Sequence, residues 1–405
     1  MNAFRHGHAT HPDWRMATEL ALAQLGDDAV RPSGGPEPLG LVYLTAPLAP
    51  HAADVLGLLR QRTGVGHWAG TCGHAIVASG VEYDDEPAIA LMRCDLPVGG
   101  FQVFSGSRPP PAAGARTASG AVAAQAALVH ADPGTPDLAE LVEDMAVKVA
   151  SGMLFGGISS GRVEPLPQIA DRVLSGGLSG VVFSSEVDLR TRVTQGCAPI
   201  AGEHVISACS SNLIRSLDGR PALDVLLADL GVAEEARTSR DGAALMRALP
   251  AERVRAGLFV GLAGGDDAPS RGPRPGFGDY LVRNLVGIDP HNRLVAVAAL
   301  PREGDRAVFC TRDARAARAD LVRACTELRD ELETDGLEIR GGVYVSCVAR
   351  GRALFGGPSA EVGLLHAQLG EFPLVGFFAN GEIAHHRLYG HTGVLTLFAG
   401  PRDAR

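Results

Sequence analysis

The 405-residue chain has no stretch of 18 apolar residues free of charge, no run of five basic residues and no Cys-x-x-Cys. The first absence predicts that nothing spans a bilayer as a helix. The second predicts no wholesale neutralisation of phosphates, hence no nucleic-acid partner and no anionic membrane surface; the net charge of −9 agrees. The third, with seven widely spaced cysteines, predicts reduced and mostly buried thiols rather than a disulfide framework. The N-terminal "MNAFRHGHATHPDW" has no apolar core of a signal peptide, so the expected compartment is the cytoplasm. Neither G-x-G-x-x-G after a strand nor a P-loop is present, which leaves nucleotide-driven chemistry without support.

What is present is globular: 46% hydrophobic and 20% charged residues, with 51 glycines that gather at strand ends. Asp13 caps a helical pattern that Gly26 stops. After a turn-rich linker, "LGLVYLTAP" reads as a buried strand, "HAADVLGLLRQRTG" as a helix, and "PAIALMRCDLP" and "FQVFSG" as strands. Ser107–Gly120 reads as a flexible loop, followed by an amphipathic helix and glycine-punctuated strands. The second half brings strands with a turn at "DPHN", a long helix after Asp313, and closing strands "GGVYVSCVARG", "PLVGFFANGEI" and "TGVLTLFAG".

The order of strand, helix, glycine-ended strand, strand occurs twice: from Gly40 through "WAGTCGHAI" to "PAIALMRC", and from Gly341 through "LVGFFANGEI" to "TGVLTLF". A second match pairs "GLSGVVFSSEVDLRTRVTQGC" with "GIDPHNRLVAVAALPREGDRAVF". The expected fold is α/β: two related mixed-sheet domains with helices on the sheet faces, duplicated about a pseudo-twofold. The expected ranges are 1–38 for an N-terminal helix and linker, 39–232 for the first domain, 233–252 for a helical connector and 253–400 for the second domain.

The stretch "DYLVRNLVGIDPHNRLVAVAALPREGDRAVFCTRDARAARADL", with "SCVARGRALFG" and "VGFFANGEI", resembles the C-terminal FIST (F-box and intracellular signal transduction) domain. "GLSGVVFS", "TRVTQGCAPIAG" and "LDGRPALDVL" resemble the N-terminal FIST domain. The resemblance implies a sensory protein that binds a small ligand, such as an amino acid, without catalysis and without a cofactor. With no F-box or output domain in these residues, it also implies a separate signalling partner. Some proteins similar to this family bind haem and report nitric oxide, which makes a haem gas sensor the alternative. After Glu382 the family pattern carries Gly-Pro, where Ala384, His385 and His386 stand here; His391 fits the pattern. In the first domain the pattern carries Gly-Glu, where "GTCGHAIV" offers His74 and no carboxylate.

The candidate ligand residues gather at strand ends, where α/β sheets commonly bind ligands. Glu382, Asn380 and Gly381 end one strand, with Glu382 either contacting ligand or pairing with Arg350. Arg350 could clamp a carboxylate. Cys347 is either a thiolate favoured by that arginine or a buried apolar residue. Arg283 with Asn284, and Arg312 with Asp313, follow other strands. His385 and His386 are either haem or metal ligands or solvated loop residues, and no structural zinc spacing is present. His6, His8 and His11 lie in what reads as an exposed N-terminus. A hydrolase reading would use Glu382 with Cys347 or with Ser159 of Gly157-Ile158-Ser159-Ser160-Gly161; the prolines that follow Ser159 break the helix a nucleophile elbow needs.

Overall fold

The computed structural model describes residues 4–26, 35–162, 165–263 and 280–402. Chain contacts divide it into two compact units, Met1–Thr194 with Leu321–Arg405, and Gln195–Asp320.

The first unit is built from three arms of one design. The first arm holds β1 (Arg5–Thr10), α1 (Trp14–Leu25), β2 (Glu37–Thr45), α2 (Ala52–Thr63), β3 (His67–Gly73), the hairpin β4 (Ala75–Ala78) and β5 (Val81–Asp84), and β6 (Ala88–Leu96). The second holds β7 (Phe101–Phe104), β8 (Ala126–Ala131), α3 (Leu138–Lys148), β9 (Met153–Ile158), the hairpin β10 (Gln168–Ala170) and β11 (Val173–Leu174), and β12 (Leu178–Phe183). The third opens with β13 (Asp188–Gln195).

The second compact unit interrupts the third arm in sequence. It contains β14 (Cys197–Pro199), β15 (His204–Ser210), β16 (Leu213–Leu217), β17 (Arg220–Pro221), α4 (Ala222–Asp229), the short helices α5 (Glu234–Arg237), α6 (Gly242–Ala248) and α7 (Ala251–Ala256), β18 (Leu258–Ala263), β19 (Leu281–Asp289), β20 (Leu294–Val297) and β21 (Arg306–Arg312). Its antiparallel pairings run β21-β15-β16-β20-β19-β18 and return to β21, so the sheet closes on itself and leaves no open edge among these strands. Buried Leu223, Leu226 and Leu227 of α4 join Ile214, Val260, Val295 and Phe309 in one core.

The third arm resumes with α8 (Ala314–Thr334), β22 (Leu337–Cys347), α9 (Gly351–Phe355), α10 (Ala360–Leu369), β23 (Leu374–Ala379), the hairpin β24 (Glu382–Ala384) and β25 (Arg387–Tyr389), and β26 (Thr392–Pro401).

In each arm two strands run parallel across a helical connection, and the last strand returns antiparallel: β2–β3 with β6, β8–β9 with β12, β22–β23 with β26. No arm keeps its hairpin. The first arm adds β4–β5 to β23, the third adds β24–β25 to β9, and the second adds β10–β11 to β3. The donations form a closed cycle, and each six-stranded sheet is mixed.

One glycine per arm makes the parallel contact fit. A Cβ on Gly70, Gly156 or Gly376 would lie 1.7, 1.9 or 1.8 Å from the carbonyl oxygen of Val42, Val129 or Tyr344. These are also the register partners across each parallel pair. Backbone approaches that closely only where no side chain intervenes. Inward residues of all three sheets, among them Leu41, Met92, Leu128, Phe183, Val345 and Phe398, share one core. Helices α1 and α2 cover the outer face of the first sheet and α3 that of the second.

The α/β class with mixed sheets and sheet-covering helices is the one the sequence predicts, and the Gly40 and Gly341 arms are duplicates in topology. The structure adds the second arm, β7 to β12, which the sequence comparison passed over. The second sequence match does not hold in topology: β12 and β13 belong to arms of the first unit, whereas β19 to β21 belong to the closed sheet. Alternating Val and Gly residues make any two strands look alike. The compact units also divide the chain differently from the ranges 39–232 and 253–400, because exchanged hairpins tie sequence-distant arms into one body. Arg5–Thr10, expected to be exposed, form strand β1 and pair along their length with β6. Asp13 caps α1 as expected, accepting from Met16 N–H at 2.8 Å. The expected strand ending at Gly265 and the segment before Tyr280 extend outside the described residues.

Candidate functional site

The C-terminal ends of β22 and β23 carry most of the candidate residues. Arg350 and Glu361 are both buried there, with Arg350 Nε donating to Glu361 Oε1 at 2.8 Å. Tyr344 Oη donates to the same oxygen at 2.6 Å, Ser346 Oγ lies 3.2 Å from both oxygens, and Gly351 N–H donates to Oε2 at 2.9 Å. Arg350 also donates to Thr194 O at 3.3 Å and stands over the Phe355 ring. A carboxylate removed from water needs this many donors to offset desolvation. Arg350 is therefore committed to Glu361, and not to Glu382 as the structural alternative had it. Glu361, in the first turn of α10, was missed in the sequence because an acidic residue there reads as a response to the helix dipole.

Glu382 is fully buried at the start of β24. Its Oε2 accepts from Thr392 N–H at 3.0 Å and Thr392 Oγ1 at 2.7 Å. Oε1 accepts no hydrogen bond in the structure, and the Cys347 thiol lies beside the carboxyl. Burial pushes the Glu382 carboxyl up to about 7, against the pull of the Thr392 hydrogen bonds and Arg350. Burial likewise pushes the Cys347 thiol up to about 12, with Glu382 adding to the rise. Of the two readings of Cys347, burial and the neighbouring Glu382 favour the buried apolar residue over the thiolate.

Register relates Glu382 to the other arms. Glu382 lies opposite Gly157 on β9, Gln168 opposite Thr71 on β3, and Ile76 opposite Phe377 on β23. The first-arm counterpart of Glu382 is thus Ile76, with Gln168 in the second arm. His74 instead occupies the corner preceding its hairpin, as Asn380 does in the third arm.

Beside the ion pair opens a cleft of about 230 Å³, lined by His74, Glu82 and Asp84 of the donated hairpin and by Arg350, Arg352 and Phe378 of the third arm, among others. Glu82 Oε1 accepts from Glu361 N–H at 3.1 Å and Val362 N–H at 3.0 Å, so it closes the N-terminus of α10. Burial pushes its carboxyl up to about 7, against those two hydrogen bonds. Among the residues expected to bind ligand, Arg350 lines this cleft; Glu382, Asn380, Gly381, Cys347 and His391 do not.

The remaining candidates disperse. Asn380 is exposed, and its N–H donates to Ile158 O, while Gly381 O accepts from Ile158 N–H. Those bonds join β23 to the second arm's sheet. His391 takes a positive φ of 62° next to Thr392. His385 and His386 form the exposed two-residue turn between β24 and β25, and His386 Nε2 accepts from Arg387 Nε at 3.0 Å. Arg283, Asn284 and Arg312 belong to the second unit, where Arg283 and Asn284 lie on β19 and Arg312 Nε donates to Ala256 O. Ser159 Oγ lies 2.5 Å from Thr71 Oγ1 and is buried, and β10 rather than a helix follows it, so the G-x-S-x-G segment is no nucleophile elbow. His8 Nδ1 meets Tyr83 Oη at 2.6 Å and His11 Nδ1 accepts from Asp13 N–H at 3.0 Å, so neither is a free imidazole on an exposed tail. All seven cysteines are unpaired, and all but Cys209 are buried.

No helix among the described residues is long and apolar enough to cross a membrane. Two uncharacterized proteins of Mycobacterium tuberculosis, MT0656 (strain CDC 1551 / Oshkosh) and Rv0628c (strain ATCC 25618 / H37Rv), are each 29% identical to this chain, over 97% of it and 98% of their own lengths. The uncharacterized protein Mb0898c of Mycobacterium bovis is also 29% identical, over 97% of each chain. The FIST N domain matches residues 38–220 and the FIST C domain residues 222–385. With both domains in tandem across most of its length, the chain belongs to the FIST family, whose domains are associated with sensing in signal transduction.

Proposed function

We propose that this protein is a sensor of a small polar metabolite, an amino acid or a relative of one, acting within the cell through a separate signalling partner and without catalysis. The observation that carries the reading is the cleft at the C-terminal ends of β22 and β23, which places both signs of charge around about 230 Å³. Arg352, exposed at its wall, suits a carboxylate; Asp84 and Glu82 suit an ammonium group. Arg350 acts from behind, through the Glu361 pair that fixes the start of α9, the helix carrying Arg352. The cleft joins hairpin β4–β5 to the third arm, so a bound ligand bridges two arms and can bias how they pack. The two nucleophiles considered for hydrolysis support binding over catalysis: Cys347 is held as a thiol and Ser159 is hydrogen-bonded to Thr71.

A thermal-shift panel of amino acids and related metabolites tests this. At a ligand concentration of 100 times Kd the stabilisation is about 2.7 kcal/mol. A responding compound should lose most of its effect on Arg352→Ala or Asp84→Asn. No response across the panel, or equal response in wild type and both variants, ends the proposal.

A further inference from the structure

The open end of hairpin β4–β5 forms one rim of this cleft. Ala75 and Asp84 are register partners, so His74 and Asp85 face each other just beyond them. His74 Nε2 lies 3.6 Å from Asp84 Oδ1 and 3.9 Å from Asp85 Oδ1, and one ligand atom from each residue falls within 4.8 Å of the others. Donors around a first-row divalent cation, bonded at about 2.1 Å, stand roughly 3 to 3.5 Å apart. The His74–Asp84 pair is nearly there. Asp85, with a side chain 81% exposed, has the freedom to close the rest.

The backbone beneath is fixed. His74 N–H donates to Ser160 Oγ at 2.8 Å, and that hydroxyl donates to Phe378 O. Gly73 cannot carry a side chain, because its Cβ would lie 2.3 Å from Ala75 O. Asp85 takes a φ of 58°, as Gly176 (79°) and His391 (62°) do at the corresponding corners of the other arms. Those corners show what the fold itself requires. In the second arm the three positions hold Leu166, Ser175 and Gly176; in the third they hold Asn380, Gly390 and His391. The corner folds with neither an imidazole nor a carboxylate pair, so the fold does not require the first-arm set.

We propose that His74, Asp84 and Asp85 bind a divalent cation of the Mn²⁺, Fe²⁺ or Zn²⁺ kind at the mouth of the cleft. One imidazole and two carboxylates suit these ions better than Mg²⁺ or Ca²⁺, which prefer all-oxygen sets, or Cu(I), which prefers sulfur. Three protein ligands leave coordination positions open, and Asp84 and His74 both line the cleft. Resting on the ligand-binding reading above, with Asp84 taken by the cation and Glu82 left for the ammonium group, this names the ligand class more closely: an amino acid with two carboxylates, one chelating the cation and the other held by Arg352.

The test is titration of metal-free full-length protein with Mn²⁺ alone, followed by calorimetry and by the loss of the free-ion paramagnetic resonance signal. No organic ligand is present, so the outcome is independent of the metabolite panel. One ion should bind per chain. Asp84→Asn and His74→Ala should each weaken binding at least tenfold, while His6→Gln, on the separate N-terminal strand, leaves it unchanged. Unaltered metal-free melting of the variants shows that they are folded, and Asp85→Asn serves in place of either one that is not. No binding by wild type, or equal binding by wild type and Asp84→Asn, or loss confined to His6→Gln, overturns the proposal.

Discussion

Arg350 and Glu361 meet at 2.8 Å with side chains 1% and 0% exposed, eleven residues apart in sequence and on either side of the loop that walls the cleft. Breaking one side of such a pair leaves an uncompensated charge in the interior, at a cost of about 3–5 kcal/mol. Arg350→Ala and Glu361→Gln should each lower the stability of the first unit by that order in denaturant unfolding. The double variant should be less damaging than the sum. Additive losses would show that the two groups do not interact.

Glu382 should make stability fall as pH rises. Its carboxyl sits at about 7 in the folded protein against an ordinary 4.5, so the folded state holds the proton more tightly. That contribution is complete below pH 4.5 and is lost as pH rises through 7. Glu382→Gln keeps an acceptor for Thr392 and removes the titration. The stability of Glu382→Gln relative to wild type should therefore climb between pH 4.5 and 7 and level off above, by at most about 3 kcal/mol. Glu82, also at about 7, titrates in both proteins and cancels in the difference. A flat difference across this window would place the carboxyl back in the ordinary range.

Two glycines should respond oppositely to alanine. Gly376→Ala puts a Cβ 1.8 Å from Tyr344 O and forces β22 and β23 apart, so the variant should lose several kcal/mol or fail to fold. Gly57, in the middle of α2, has open space around its Cβ position, and Gly57→Ala should stabilise by about 0.5–1 kcal/mol. Thermal melts of the two proteins decide; a neutral Gly376→Ala would contradict the close strand approach.

The two FIST segments should not fold apart. Residues 1–220 contain the hairpin β4–β5 without β23 to receive it, and leave β9 without β24. Such edges invite aggregation. Fragments 1–220 and 221–405 should be insoluble or molten when made singly, and should recover a cooperative melt when co-expressed. A monomeric, cooperatively melting 1–220 fragment would refute the cyclic exchange.

Much of the fold was legible because it rests on local physics. The Asp13 cap, the Gly26 stop, the "DPHN" turn and the Gly40 and Gly341 arms are patterns of propensity and spacing, and they recur in the structure. The second arm escaped notice because its sequence has drifted: "ALVHA" and "MLFGGI" share with the other arms little beyond the glycine at position 156. The register pairing with Val129 reveals it. Of the candidate site, Arg350 was named in the sequence, and the cleft it lines lies at the ends of the strands that carry "SCVARG" and "FFANGE". Glu82, Asp84 and His74 were not predicted to join it, since they arrive on a hairpin from about 270 residues away in the chain.

By itself, then, the sequence determined most of the elements, the mixed α/β class and the family, since each follows from residues near one another. Only the tertiary structure decided which hairpin completes which sheet, that Arg350 takes Glu361 and not Glu382, and that Cys347 is buried. Strand edges offer the same backbone donors and acceptors to any partner. A buried charge takes the counter-charge that packing brings within hydrogen-bonding distance, here Glu361 at the start of α10.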